Sequence, residues 1–387
     1  MIKILFSLYI FISVNDLVLY ALNALQLKNV LLGAALVSVF AWGGQWYKRQ
    51  VRILYFLAPL VIISVLVGLT SGQGVGGVLQ QAFSVLVAVL VPLMIDRYVG
   101  EDENRWNYVS DLVMVSLVAM MAFKIIFVLY QMGFVGNPIF DLLFQNIQGR
   151  GEIDGIARLN TGTQLLMLYG LTLCIVRLLK SAGGRRLLYI LISMLFVLDL
   201  FIASSRFFTI IAPLVIVFTL GACNIKIPKS VFVGVGICVL IVAFFLVQDI
   251  YSARVIASDG GDTIREDQTA AMIDAFFNSP FLGHGSGYAL PSLTRNDDAP
   301  FLYEVQIVAF LMQFGIFGTI LYMLVLFNII KPHIRAGLRL LAFFYVCIFF
   351  LASYFNPYML GTYAGLSIAM INLILRELSL GRSGVKQ

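Results

Sequence analysis

Residues 265–318 read REDQTAAMIDAFFNSPFLGHGSGYALPSLTRNDDAPFLYEVQIVAFLMQFGIFG. The stretch begins charged, turns at Pro280 into a glycine-rich run, crosses a polar loop and becomes apolar after Glu304. From Val305 to Ile330 no charged residue occurs. A helix needs about 20 apolar residues to cross a hydrocarbon core of ~30 Å. The run therefore predicts a membrane span, and the polar residues before it predict a loop at the mouth of that span.

The same pattern recurs along the chain. Of the 387 residues, 60% are hydrophobic and 12% charged, whereas a soluble domain carries about 25% charged residues. The fold class expected is an all-α integral membrane protein, one polytopic domain over residues 1–387. Apolar runs place about twelve spans at roughly 3–24, 29–46, 51–70, 75–95, 109–132, 161–179, 187–203, 207–223, 230–250, 301–330, 338–356 and 359–375. Two longer loops, about 133–160 and 251–300, carry short helices. One of these is predicted at about 263–278, with Asp262 as N-cap, Pro280 closing the segment, and Ile264, Ala271, Met272, Ala275 and Phe276 as an apolar face. The apolar stretch after Lys3 reads as a first membrane helix, since no small-residue cleavage site follows it.

Positive charge orients these spans. With the N-terminus in the cytoplasm, 18 of the 26 Lys and Arg residues fall inside, including every short basic loop, as the positive-inside bias requires. Both termini are then cytoplasmic and both long loops face outward. The outside set is Lys28, Arg150, Arg158, Arg206, Arg254, Arg265 and Arg295. The net charge of +6 is scattered through short loops and gives no nucleic-acid footprint. Cys174, Cys223, Cys238 and Cys347 form no CxxC pair, so free thiols and no metal site are expected.

A few polar residues could carry chemistry. Gly283-His284-Gly285-Ser286-Gly287 is either an anion nest of backbone amides or a tight turn. It is neither a Walker A loop nor a Rossmann fingerprint. Arg206, in Ser204-Ser205-Arg206, either grips phosphate or caps a hairpin at the interface. Lys124 lies inside a span, where an ionisable group is functional by default; the alternative is a pair with a buried carboxylate such as Asp199 or Asp16. Glu304 is either a carboxylate favoured by the helix dipole or a general base.

Taken in order, Arg265, Pro280-Phe281-Leu282-Gly283-His284-Gly285, Glu304 and Gly315-Ile316-Phe317-Gly318 resemble the recurring pattern of the O-antigen polymerase and O-antigen ligase superfamily. Ser204-Ser205-Arg206 resembles its earlier Ser-x-Arg element, and Arg158-Leu159-Asn160-Thr161-Gly162 is a weaker match. The likeness covers roughly residues 150–320. It implies a metal-independent membrane glycosyltransferase, without cofactor, at the outer face of the bacterial inner membrane. Its partners would be polyprenyl-pyrophosphate-linked oligosaccharides, membrane lipid and a chain-length regulator protein. Arg158, Arg206, Arg265, Gly283, Gly285 and Gly287 would bind pyrophosphate and glycan, and Glu304 or His284 would serve as the base. Ligases of the superfamily carry a His-Asn pair where this chain has Glu304, which favours a polymerase of O-antigen-type surface polysaccharide. A ligase, or a non-enzymatic flippase for lipid-linked oligosaccharide, is the alternative. Against a flippase, the two halves of the chain show no repeat of the kind common among transporters.

Overall fold

The computed structural model describes residues 2–16, 26–42, 48–144, 152–153, 156–157, 162–202, 206–223, 261–290, 293 and 299–383. These are overwhelmingly helical. In chain order the helices are α1 (Ile2–Val14), α2 (Gln26–Trp42), α3 (Lys48–Thr70), α4 (Val75–Val99), α5 (Glu103–Gln131) and α6 (Pro138–Phe144). After a pair of two-residue antiparallel strands, β1 (Glu152–Ile153) and β2 (Ile156–Ala157), come α7 (Gln164–Lys180), α8 (Gly183–Ile202) and α9 (Arg206–Ala222). The last four are α10 (Gly261–Asn278), α11 (Gln306–Ile330), α12 (Arg339–Ala352) and α13 (Gly361–Ser383).

Among the described residues, α3, α4, α5 and α11 are long and apolar enough to cross a membrane. α1, α2, α9 and α12 are shorter apolar helices. Large apolar side chains such as Ile62, Leu66, Phe83, Ile320 and Phe343 are exposed. Helices with bare apolar faces of this kind suit lipid rather than water. Each expected span overlaps a helix except 230–250, which lies outside the described residues, as do 17–24 of the first span and 43–46 of the second. The loop helix spans Gly261–Asn278, slightly longer than expected. Asp262 therefore sits inside its first turn and is not its N-cap.

The ends of α5 show how local sequence sets an element. Asp102 accepts from the amides of Asn104 at 2.9 Å and Arg105 at 3.3 Å. Glu103 adds negative charge at the positive end of the helix dipole. At the other end Gly133 takes φ 76°. Its amide donates to the Tyr130 carbonyl, and that of Phe134 donates to Leu129, closing a Schellman motif.

The chain forms two compact units: residues 1–44, 94–247 and 373–387, and residues 45–93 and 248–372. In the first, α7 is buried from Gln164 to Arg177 and packs against α8, α9 and α5. Gly170 makes this close approach workable, since a Cβ there would meet Leu117 at 2.7 Å. Lys124 of α5 pairs with Asp199 of α8 at 2.9 Å, both side chains fully buried. The Gln164 amide donates to the other Asp199 oxygen at 2.9 Å and accepts from Lys124 at 2.8 Å. Asp16, the other carboxylate considered for Lys124, lies instead 3.5 Å from Lys28. A second polar cluster joins Arg177 to Asp111 and Glu377, with Lys180 also on Glu377.

In the second unit α11 packs against α3 and α10. α11 is broken at Gly315, whose φ of 64° and ψ of −174° are not helical. That break shapes the site below.

Candidate active site

α10 supplies the first candidate side chain. Met272 and Ala275, one turn apart on one face, are buried against Tyr303, Val305, Ala309 and Met312. Gln268, on the same face, is buried and donates to the Leu293 carbonyl at 3.0 Å. Arg265 follows one turn further toward the N-terminus, where the buried stripe gives way to a half-open position. Helical spacing thus carries Arg265 to the segment just before α11, and there it meets Glu304. The guanidinium Nε donates to Glu304 Oε2 at 2.6 Å, with side chains 36% and 18% exposed. Two residues 39 positions apart, singled out separately from the sequence, form one charge-assisted contact.

The approach to α11 is held firmly. Tyr303 is buried, and its hydroxyl accepts from the Leu290 amide at 2.5 Å. The Gln306 amide donates to the Ser353 carbonyl at 3.0 Å, and the Gln306 side chain accepts from Met359 at 2.5 Å. Glu304 is therefore presented from a braced backbone.

The glycine-rich turn has a different role from the anion nest considered above. Gly283, Gly285 and Gly287 take φ values of 68°, 85° and 80°, a region that favours glycine. Every amide of the run is used inside the protein. Gly283 donates to Ser279, His284 to Met312, Gly285 to Gln313 and Ser286 to Ser64, all backbone carbonyls, at 2.8–3.0 Å. Gly287 donates to the Gln81 side chain at 2.5 Å. No backbone amide of the run is left over for an anion, so the tight turn, not the nest, describes Gly283, Gly285 and Gly287. The run is a bracket between α3, α4 and α11. A Cβ on Gly285 would overlap the Gly68 backbone, and one on Gly283 would overlap Gln313.

The bracket also explains the break in α11. Without helical geometry at Gly315, the carbonyls of Met312 and Gln313 and the amides of Ile316 and Phe317 lose their usual partners. The turn supplies replacements: His284 and Gly285 donate to the carbonyls, and the Pro280 and Phe281 carbonyls accept from Ile316 at 2.9 Å and Phe317 at 3.2 Å. Backbone polar groups at membrane depth must be satisfied within the protein. The Gly315-Ile316-Phe317-Gly318 step is thus a splice point.

His284 is built into the same bracket. Its Nε2 lies 2.7 Å from the Ala275 carbonyl, and its ring stacks on Tyr288 at 4.2 Å. A carbonyl only accepts, so Nε2 donates in this contact and ties the ring into the bracket. The two candidates for the proton acceptor thus stand in different surroundings, Glu304 beside Arg265 and His284 on the Ala275 carbonyl. Arg206 opens α9; its side chain, and Arg158 entirely, lie outside the described residues.

Sequence reasoning passed over Ser64, Gly68, Gln81 and Gln313. Gln81 donates to Gln313 at 2.5 Å, and Gln313 donates to the carbonyls of Tyr288 and Phe301 at 2.9 and 3.0 Å. The available signal was two glutamines inside apolar helices, and Ser64 with Gly68 as a small-xxx-small pair. Comparison of the chain with family models, with curated proteins and with solved structures finds no match.

Proposed function

We propose that the protein is a bacterial polysaccharide polymerase of the inner membrane. On this reading about twelve helices span the membrane, both termini are cytoplasmic, and Arg265 and Glu304 face outward. The enzyme transfers a glycan from polyprenyl pyrophosphate onto a lipid-linked repeat unit. The observation that carries the reading is the 2.6 Å contact between Arg265 and Glu304, because it puts an anion-binding group and a proton acceptor at one partly open place.

The pair suggests how the two roles are coupled. In the resting state each charge neutralises the other. A pyrophosphate arriving at Arg265 competes for the guanidinium, whose planar donors suit phosphate oxygens. Glu304 is then released toward the acceptor hydroxyl. The hydroxyl oxygen attacks the anomeric carbon as the bond from that carbon to the pyrophosphate oxygen breaks. The hydroxyl proton passes to Glu304, and the leaving pyrophosphate keeps its electron pair beside Arg265.

The test is the surface-glycan profile of a deletion strain, examined with the lipid-linked pool and complemented with variants. A single repeat unit on its acceptor without the longer ladder supports a polymerase. Bare acceptor with polymer on the lipid carrier would assign a ligase. Bare acceptor with single lipid-linked units trapped inside would assign a flippase. Arg265→Ala and Arg206→Ala are expected to abolish polymer at normal protein level; a normal ladder from both variants sinks the assignment.

A further inference from the structure

The end of α11 remote from Glu304 borders a groove of about 630 Å³. Its walls are apolar side chains of α11, α12 and α13, among them Met323, Phe327, Phe343 and Ile371. Phe327 and Phe343 are 52% and 67% exposed, so the groove is open along its side. Two cations line the same groove, Lys331 at the end of α11 and Arg339 at the start of α12. The Lys331 ammonium stands 6.0 Å from the centre of the Phe327 ring, at the edge of the apolar wall. No Asp or Glu occurs in the sequence between Glu304 and Glu377, so this segment brings no carboxylate of its own to the groove.

We propose that this groove binds an anionic phospholipid, its acyl chain along the apolar wall and its phosphate held by Lys331 and Arg339. The volume lies within the range of about 300–1,000 Å³ typical of small-molecule sites. An apolar channel with a cationic mouth is complementary to a molecule that is hydrocarbon at one end and phosphate at the other. Arg339 offers paired donors to phosphate oxygens and Lys331 a point charge. A neutral, zwitterionic lipid fills the wall equally well but adds an ammonium that the two cations disfavour. A basic residue near an anionic headgroup is worth roughly a fivefold change in affinity, so the pair gives a preference of about tenfold or more.

The experiment is native mass spectrometry of the full-length protein, purified in detergent and exposed to equal amounts of phosphatidylglycerol and phosphatidylethanolamine. Wild type is expected to retain phosphatidylglycerol about tenfold over phosphatidylethanolamine. The Lys331→Gln, Arg339→Gln double variant, checked by an unchanged elution profile, is expected to retain both equally. Val346→Trp, which fills the groove wall, is expected to lose both. Equal retention by wild type overturns the proposal without recourse to any variant. So does a preference that survives the double variant, a polyprenyl phosphate as the retained species, or cross-linking that places a second copy of the chain in the groove. The proposal does not depend on glycan transfer, so its outcome leaves the polymerase reading untouched.

Discussion

Two of the ion pairs described above, Lys124–Asp199 and Arg265–Glu304, are similar in length and opposite in burial. Lys124 and Asp199 meet at 2.9 Å with both side chains fully buried and Gln164 bridging them. Arg265 and Glu304 meet at 2.6 Å with the side chains 36% and 18% exposed. A buried pair cannot exchange partners without leaving a bare charge in an apolar surround, so its energy goes into fixing helix register. A half-open pair contributes little to stability because water screens it, but it can trade one partner for a ligand. On the proposed function, burial rather than the presence of charge separates scaffold from chemistry.

The comparison can be broken most forcefully at Asp199. Asp199→Ala strands a buried ammonium and is expected to cost about 3–5 kcal/mol, seen as loss of the monodisperse peak and a collapsed melting temperature in detergent. Replacing both partners, Lys124→Met with Asp199→Leu, should recover most of that loss. A single variant as stable as wild type would show that the pair is not structural. Next in size is Gly285→Ala, which forces a side chain into a left-handed backbone against Gly68. A penalty of about 3 kcal/mol should appear as reduced folded yield, and normal yield would disprove the bracket.

At the open pair the expectation inverts. Glu304→Gln should shift stability by less than about 1 kcal/mol yet cut polymer formation about 100-fold or more, measured on the glycan ladder in the same cells. The smallest effect belongs to His284→Ala, which removes one hydrogen bond worth about 1 kcal/mol and should leave the ladder standing. If His284→Ala proves more damaging to polymer than Glu304→Gln, the base is misassigned.

Apolar runs were readable because a membrane helix is specified by its own residues, as at Val305–Ile330. The loop helix was readable for the same reason: Met272, Ala275 and Phe276 mark its buried face from sequence alone, and they pack as that face predicts. That Lys124 pairs with a buried carboxylate, Asp199 or Asp16, was readable because a lone intramembrane charge requires a partner; which of the two was not. The glycine run was not readable. Its amides are consumed by Ser64, Gln81, Met312 and Gln313, which lie far along the chain, and without them a nest and a bracket have the same sequence. The pairing of Arg265 with Glu304 was likewise hidden, since it depends on how α10 settles against the start of α11. Nor does composition reveal that the chain divides into two discontinuous units.

The break at Gly315 has a consequence for how the protein is made. A segment entering the bilayer is sorted by its overall apolarity, and by that criterion Gln306–Ile330 inserts as one straight rod. Hydrocarbon offers nothing to the four backbone groups that the break releases, so the rod has no reason to open alone. On the topology proposed here, Pro280–Gly285 crosses the membrane ahead of it, and folding back it takes those groups. On that topology the break in this helix is made after insertion, by a stretch of chain that left the ribosome first.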